Sequence, residues 1–253
     1  MGIVWIASYP KSGNTWVRFL VHHLLFGPAE SSSLINERIP PILKNRSFEV
    51  PDGRFVCSKT HFVFGPNHPR ASETTRAIVI VRDPRDVAMS ALNYRRLAGV
   101  LPPGVSDADY LRLFIQHKGD PEFANLGFGT WASNVASWSS GLSFPTLPLR
   151  YEQMKAAAFE QTRAIASFLQ LDVDERAIAA AVDASGIDTL RALEVEERGR
   201  RDAGTIFKGR ASNRFFMNKG ATGQRLDAVE QGLDEAFEKA FGDDAERFGY
   251  ARS

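Results

Sequence analysis

The chain has 253 residues, of which 43% are hydrophobic and 24% charged, proportions that support one sizeable buried core. Its formal net charge of +1 argues against a protein that wraps nucleic acid through a broadly basic surface, so no nucleic-acid partner is expected. A single cysteine and the lack of Cys/His clusters at metal-ligand spacing predict neither an intramolecular disulfide nor a metal site.

A predicted strand, a loop and a helix come first. Residues 3–7 are apolar and rich in β-forming side chains. Apolar side chains then recur three and four positions apart over residues 17–25, which predicts a helix that stops at Gly27-Pro28. The first apolar run is too short for a signal peptide or a membrane span, and with the lone Cys57 it indicates a cytoplasmic protein.

Strands and helices alternate along the rest of the chain. Residues 77–81 form a continuous apolar run that suits a parallel sheet covered on both faces, and Asp83 and Pro84 then favour a helix start. Other strands are predicted at residues 55–58 and 146–150, and other helices at residues 159–169, 175–184 and 226–241. The alternation predicts one α/β domain, residues 1–253, with a central parallel sheet flanked by helices.

Two segments are less regular. Residues 96–130 contain many glycines and prolines, which predicts long, mobile loops around a binding site. Residues 198–225 contain eight Lys or Arg and one acidic residue, Asp202. This imbalance predicts an anionic partner for the segment.

The loop between the first strand and the first helix has the sequence Tyr-Pro-Lys-Ser-Gly-Asn-Thr-Trp, residues 9–16. Helix N-terminal amides, a lysine and two hydroxyls can all contact one phosphate there, which predicts a P-loop-like phosphate site. In a Walker A loop a glycine directly precedes the lysine, whereas Lys11 precedes the only glycine here. This order disfavours a kinase or phosphotransferase that uses ATP, although that alternative stays open, as does a turn without a ligand.

Two other strand ends carry polar side chains. Arg82 ends one apolar strand, and Ser90 lies about two turns into the next helix, near the sheet edge where ligands of parallel α/β sheets bind. A local ion pair between Arg82 and Asp83 is the alternative. Lys59 and His61 follow another strand, and a base beside a cation suits deprotonation of a hydroxyl next to a transferring anionic group.

These three motifs, in this order, resemble those of the sulfotransferase superfamily, whose donor is 3′-phosphoadenosine 5′-phosphosulfate (PAPS). Residues 9–16 resemble the family's 5′-phosphosulfate loop, Tyr-Pro-Lys-Ser-Gly-Thr-Thr-Trp, with Asn14 in place of one threonine. Residues 81–90 resemble its 3′-phosphate site, and residues 59–61 resemble its catalytic lysine and histidine.

Further segments extend the resemblance towards the C-terminus. Residues 151–155 are similar to a Tyr-Glu-Asp-Met segment whose tyrosine lies by the adenine, and residues 205–208 resemble a Thr-Ser-Phe-Lys stretch. Residues 216–223 resemble the Phe-Met-Arg-Lys-Gly segment that covers the 3′-phosphate, but Asn218 replaces the arginine. A neutral amide cannot reproduce an arginine fork. The candidates to compensate are Arg210, Arg214 and Arg225.

The resemblance implies an enzyme that transfers a sulfuryl group from PAPS to a hydroxyl of a small-molecule acceptor, without a metal. It implies that Lys11 stabilises the leaving 5′-phosphate, Lys59 stabilises the sulfuryl oxygens and His61 removes the acceptor proton. The residues implied to bind the donor are Lys11, Ser12, Gly13, Asn14, Thr15, Trp16, Arg82, Ser90, Tyr151, Thr205, Phe207, Asn218, Lys219 and Gly220. Of these, Trp16, Tyr151 and Phe207 are expected to enclose the adenine. A nucleotide-binding protein without turnover is a further alternative.

The motifs do not specify the acceptor. We expect an aromatic or polycyclic natural-product hydroxyl ahead of a sugar or lipid, and a homodimer is common among relatives. The aromatic residues that could line an apolar acceptor pocket, or equally belong to the core, are Phe62, Phe64, Phe114, Phe123, Phe128 and Trp131.

Overall fold

The structure, a computed structural model, describes residues 2–42, 49, 52–200, 205–207, 214–218 and 220–251. Its strands are β1 (Gly2–Ser8), β2 (Phe55–Thr60), β3 (Thr74–Val81) and β4 (Thr146–Arg150). They form one parallel sheet in the order β2-β1-β3-β4. The predicted α/β fold with a central parallel sheet is therefore confirmed, whereas the extent of the domain, residues 1–253, stays a prediction.

Helices cover both faces of this sheet. They are α1 (Asn14–Phe26), α2 (Ser32–Arg38), α3 (Pro84–Ala98), α4 (Asp107–Gln116), α5 (Pro121–Phe123), α6 (Trp131–Ser137), α7 (Tyr151–Ala156), α8 (Ala158–Phe168), α9 (Glu175–Ala184), α10 (Ile187–Arg200) and α11 (Leu233–Arg247). None of the helices within the described residues is long and apolar enough to cross a membrane.

Alternate side chains of β1 enter two different parts of the core. Val4 and Ile6 belong to the cluster that contains the apolar face of α1 and residues of α8 and α9. Trp5 and Ala7 belong to the cluster on the other face, with Trp138. Because both faces of β1 are covered, the strand is apolar at almost every position.

The segment at residues 96–130 is more regular than predicted. It contains α4, which begins at a capping box in which Ser106 and Asp109 bond reciprocally. Tyr110 and Phe114 of this helix are buried in the core. Its glycines and prolines lie at the ends of short helices, between them or within a single helical turn, as Pro121 and Gly127 do, so the prediction of long loops was wrong.

The predicted helix at residues 226–241 begins later than expected. Leu226–Ala228 form a single 3-10 turn, and α11 starts at Leu233. Gly232 separates them with a backbone φ of 91°, a left-handed conformation that interrupts a right-handed helix. The apolar periodicity continues through this break, which is why it predicted one helix.

Candidate active site

The carboxyl ends of the four parallel strands meet at one edge of the sheet. In the strand register Ala7 lies opposite Thr60, and Ser8 lies opposite Ile80. The residues that follow the strands therefore come together, and they line one cavity of about 650 Å³. Each strand end contributes to it, through Lys11, His61, Arg82 and Tyr151.

The loop after β1 has an unusual backbone. Lys11 adopts a φ of +72°, which is rare for a residue with a side chain, and Gly13 adopts +103°. A Cβ on Gly13 would lie 2.6 Å from Cδ2 of Tyr151, so only glycine fits at this position. Because α1 begins directly afterwards, the first amides of the helix lack intrahelical partners. The buried hydroxyl of Ser12 also has no hydrogen-bond partner within the described part of the chain.

Lys11 lies between two aromatic rings. Its Nζ is 4.5 Å from the ring centroid of Tyr94 and 4.4 Å from that of Phe216. Burial, reinforced by the positive charge of Arg82 and partly opposed by Glu194, lowers the pKa of Lys11 to about 7. No carboxylate of the described residues bonds directly to this ammonium in the cavity wall, and an anion in the cavity would favour its charged form.

Arg82 connects the loop to the segment that covers the cavity. It donates hydrogen bonds to the carbonyl of Lys11 at 3.1 Å and to the carbonyl of Ala221 at 2.7 Å. Its guanidinium carbon lies 4.2 Å from the ring centroid of Tyr151, and none of the described residues bonds to its buried Nε. The alternative ion pair with Asp83 is not formed, because Asp83 caps α3 by accepting from the amide of Arg85 at 2.8 Å.

The imidazole of His61 has a defined tautomer. Its Nδ1 lies 2.7 Å from the carbonyl oxygen of Ser8, and because a carbonyl only accepts, Nδ1 carries the proton and Nε2 keeps a lone pair. Burial holds the pKa of His61 well below its ordinary value, and the charges of Lys59 and Lys11 lower it further. The side chain is therefore a neutral base at physiological pH.

Lys59 lies two residues before His61 and lines the same cavity. Its backbone is held on both sides, because its amide donates to the carbonyl of Pro40 and its carbonyl accepts from Ile42, each at 2.8 Å. The segment at residues 40–42 thus runs beside the end of β2. A cation and a neutral base are placed together next to the phosphate loop.

Most of the site residues predicted from the sequence line this cavity. They are Lys11, Gly13, Asn14, Thr15, Trp16, Lys59, His61, Arg82, Ser90, Tyr151, Thr205, Asn218 and Gly220. Ser12 is buried beneath the loop, and Lys219 lies outside the described residues. Asn14 directs its amide away from the cavity, because Nδ2 donates to the carbonyl of Ile6 at 2.9 Å.

Phe207 lies away from the cavity. It is 1% exposed and stacks on Phe19 of α1 at a centroid distance of 6.4 Å. Ser185 and Ile187, which the sequence analysis missed, line the cavity instead. A Cβ on Gly220 would meet both Ile187 and the hydroxyl of Tyr151, so these two side chains face the same point of the wall. Trp16 packs edge-on against Tyr151 at 5.7 Å.

Two buried glutamates of α10 hold the segments that cover the cavity. Glu194 accepts hydrogen bonds from the amides of Phe216 at 2.7 Å and Met217 at 2.9 Å. Glu197 accepts from the hydroxyls of Ser32 and Thr205. This helix was not predicted, although the opposite charges at residues 194 and 198, one turn apart, are a sequence signal for it.

The basic segment at residues 198–225 finds partners within the protein. Three of its described arginines pair with acidic side chains, in the pairs Arg198–Glu194, Arg200–Glu196 and Arg225–Asp234. Neither Arg225 nor Arg214 is part of the described cavity lining, and Arg210 lies outside the described residues, so compensation for the arginine expected at position 218 stays a prediction. For the three paired arginines the predicted anionic partner is therefore an acidic side chain of the protein itself.

One wall of the cavity is apolar. Phe123, Leu126 and Phe128 line it, whereas the other aromatic candidates belong to the core or pack against it, namely Phe62, Phe64, Phe114 and Trp131. Among the described residues, the cavity lining contains no Asp or Glu, and no three His, Cys, Asp or Glu side chains cluster as metal ligands. A hard cation would find no carboxylate ligand in that lining.

The fold and the site define an α/β protein with a phosphate loop, a cation and a neutral imidazole at one sheet edge. Residues 2–249 match the sulfotransferase domain family, and the chain belongs to this family. Mouse sulfotransferase 1B1 is 28% identical over 193 residues, which cover 70% of this chain and 61% of the mouse protein. Rabbit amine sulfotransferase is 22% identical over 97% of this chain and 81% of its own length.

Solved structures share the fold at low identity. Retinol dehydratase in complex with androsterone and the inactive cofactor PAP superposes with a TM-score of 0.72 at 20% identity, covering 96% of this chain and 80% of that chain. Mouse sulfotransferase SULT7A1 complexed with PAP superposes with a TM-score of 0.70 at 21% identity, covering 96% of this chain and 84% of the mouse chain. This chain spans about 60% of the length of mouse and dog sulfotransferase 1B1.

Proposed function

We propose that this protein transfers a sulfuryl group from PAPS to a hydroxyl of a small-molecule acceptor. The observation that carries the proposal is that the phosphate loop, Arg82 and the neutral imidazole of His61 all face one cavity. Membership of the sulfotransferase family supports the same reaction. Two structures with the same fold hold PAP, the desulfated form of the donor.

The donor end of the cavity fits an anionic nucleotide. Nε of Arg82, a lining residue, is a donor without a partner among the described residues, and a phosphate supplies the acceptor that it lacks. Lys11, Thr15 and the first amides of α1 are proposed to hold the 5′-phosphate. Arg82 and Ser90 are proposed to hold the 3′-phosphate, together with Lys219, which lies outside the described residues.

The adenine is proposed to lie against the wall where Trp16 packs edge-on against Tyr151. Ser185 and Ile187 complete this wall in place of Phe207. The hydroxyl of Thr205 is already engaged by Glu197, and Phe207 is part of the core. This assignment differs from the one that the sequence resemblance implied.

The catalytic roles follow from charge and protonation. PAPS, when bound, supplies the activated sulfuryl group. His61 accepts the acceptor's hydroxyl proton at Nε2 as the oxygen attacks sulfur, and the bond between sulfur and the phosphate oxygen breaks. Lys59 stabilises charge on the sulfuryl oxygens and Lys11 on the leaving phosphate, since transfers of this kind depend mainly on positioning and electrostatics.

The acceptor is proposed to contact the apolar wall made by Phe123, Leu126 and Phe128. Solved relatives hold androsterone and retinol, which are small molecules with large apolar surfaces. An aromatic or polycyclic hydroxyl therefore remains our preferred class ahead of a sugar. A cytoplasmic location and a homodimer remain predictions.

The proposal is tested by measuring the affinities for PAP and for ATP by calorimetry, followed by turnover of PAPS with a panel of phenols and sterols. We expect PAP to bind at least tenfold more tightly, since ATP lacks the 3′-phosphate that Arg82 is proposed to bind. Tighter binding of ATP supports the phosphotransferase alternative. Binding of PAP without sulfated product from any member of the panel supports the alternative without turnover.

A further inference from the structure

Arg18 is a buried cation at the cavity that the donor site does not use. It lies one turn after Asn14 on α1, is 1% exposed, and lines the cavity. Its neighbours in the lining include Asn36 and Pro41, which lie in and after α2. The guanidinium is thus placed beside the segment that runs along the end of β2.

All hydrogen-bond partners of Arg18 are neutral. Its Nε donates to the carbonyl of Ile39 at 3.1 Å, and its Nη2 donates to the carbonyl of Ile35 at 3.1 Å and to Oδ1 of Asn36 at 3.0 Å. Among the described residues no acidic side chain pairs with it, and its Nη1 makes no hydrogen bond. A buried charge without a counter-ion is costly, and burial accordingly lowers the pKa of Arg18 to about 9.

Hydrogen bonds place Arg18 beside the end of β2. Its Nε donates to the carbonyl of Ile39, and the next carbonyl along the chain, that of Pro40, accepts from the amide of Lys59. Arg18 therefore lies near the strand end that His61 follows, where the acceptor's hydroxyl must lie. Every charged side chain among the described lining residues is a cation. They are Lys11, Arg18, Lys59, Arg82 and Lys155. With Lys11 and Arg82 assigned to phosphates and Lys59 to the sulfuryl group, the buried charge of Arg18 still lacks an anion.

We propose that Arg18 is an acceptor-binding residue whose Nη1 recognises a carboxylate on the acceptor. This inference rests on the proposed sulfotransfer and narrows its substrate class to hydroxylated aromatic or apolar carboxylic acids. The hydroxyl of such an acceptor reaches His61, its apolar part contacts Phe123 and Phe128, and its carboxylate supplies the missing counter-ion. A carboxylate fits better than a neutral carbonyl, because only an anion compensates the buried charge.

The first test uses the wild-type protein loaded with PAP and therefore does not depend on the folding of a variant. Calorimetry compares three phenolic acids of increasing chain length with their methyl esters: 4-hydroxybenzoate, 4-hydroxyphenylacetate and 3-(4-hydroxyphenyl)propanoate. We expect at least one acid to bind ten or more times as tightly as its ester. The inference is overturned when every acid binds no better than its ester, including the case in which none of them binds.

The second test asks whether Arg18 is the group that recognises the carboxylate. Arg18→Gln should bring the ratio of acid to ester affinity close to one, while the affinity for PAP stays within twofold of wild type. Arg18→Lys, which keeps the charge, should keep part of the preference. A tenfold preference that persists in Arg18→Gln assigns recognition to another cation. Turnover of the neutral esters with PAPS reports on the proposed function separately, so either proposal can fail without the other.

Discussion

Nδ1 of His61 lies 2.7 Å from the carbonyl oxygen of Ser8, so the end of β2 is joined to the end of β1 by the imidazole itself. Nδ2 of Asn14 donates to the hydroxyl of Ser8 at 3.2 Å. The first residue of α1, the end of β1 and the imidazole therefore form one connected unit. The phosphate loop and the proposed base are positioned by the same set of bonds.

Removal of the imidazole should separate catalysis from donor binding. His61→Ala is expected to reduce kcat with any acceptor by at least about a hundredfold, because a positioned general base contributes that much or more. The affinity for PAP should change by less than threefold, since His61 contacts the acceptor in our proposal. Calorimetry and product formation measured on the same preparation check both expectations.

His61→Asn provides a matched control for this experiment. The asparagine amide can donate to the carbonyl of Ser8 but cannot accept a proton. The His61→Asn variant should therefore lose turnover as His61→Ala does, while its melting temperature stays closer to that of wild type than the melting temperature of His61→Ala. Equal losses of PAP affinity and turnover in both variants would reassign His61 to nucleotide binding.

Lys11 should take up a proton when the nucleotide binds at alkaline pH. Its pKa is lowered to about 7 in the free protein, first by burial and then by Arg82, and an anionic phosphate beside it raises that pKa. At pH 8 most of the free protein has a neutral Lys11, so binding of PAP is expected to consume up to about one proton. At pH 6 Lys11 is already charged and takes up none. Affinity should consequently weaken as the pH rises above 7.

Calorimetry at pH 8 in two buffers of different ionisation enthalpy measures this uptake. Lys11→Arg is the matched control, because an arginine stays charged at both pH values and has no proton to take up. We expect the uptake to disappear in that variant. The same uptake in wild type and Lys11→Arg would show that another group titrates, and the assignment of the proton to Lys11 would be abandoned.

The sheet could be predicted because both faces of its strands are covered, so residues 3–7 and 77–81 are continuous apolar runs with clear ends. The break before α11 could not be predicted, since it depends on the backbone conformation of Gly232 and not on apolar spacing. Helix α4 could not be predicted for a related reason. Its flanking glycines and prolines suggested loops, whereas the burial of Phe114 that stabilises it depends on contacts with distant α11.

Within the site, residues that directly follow strands could be predicted and those supplied by distant segments could not. Lys11, His61 and Arg82 come immediately after strands, so the parallel order alone brings them together. Ile187 and Arg18 line the cavity because of how their helices pack, and a local sequence pattern does not predict helix packing. Phe207 was assigned to the adenine because its motif was matched by residue type, while its burial against Phe19 is a tertiary property that the motif does not contain.

Replacement of Gly13 should damage the phosphate loop through contact as well as through backbone strain. Gly13→Ala forces a residue with a side chain to adopt a φ of +103° and places its Cβ 2.6 Å from the ring of Tyr151. Strain of this kind costs about 1 kcal/mol or more, and the clash must displace Tyr151. We expect the affinity for PAP to fall more than tenfold, as measured by calorimetry.

Gly141→Ala is the control for the strain alone. Gly141 has a φ of +71°, and a Cβ there meets nothing within 4 Å. This variant should lower the melting temperature slightly while binding PAP as wild type does. A loss of PAP affinity in Gly141→Ala as large as that in Gly13→Ala would show that global destabilisation, and not displacement of Tyr151, explains the effect.

Ile187 and Phe207 should respond in opposite ways when truncated, because one lines the cavity and the other fills the core. Ile187→Ala removes apolar surface beside Tyr151 and is expected to weaken PAP binding about fivefold to tenfold, with little change in melting temperature. Phe207→Ala leaves a void against Phe19 and should cost about 3–5 kcal/mol of unfolding free energy. Its affinity for PAP, measured well below its melting temperature, should stay near that of wild type. The reverse outcome, with affinity lost in Phe207→Ala and kept in Ile187→Ala, would restore Phe207 to the adenine wall, since truncating a core residue does not by itself remove a nucleotide contact.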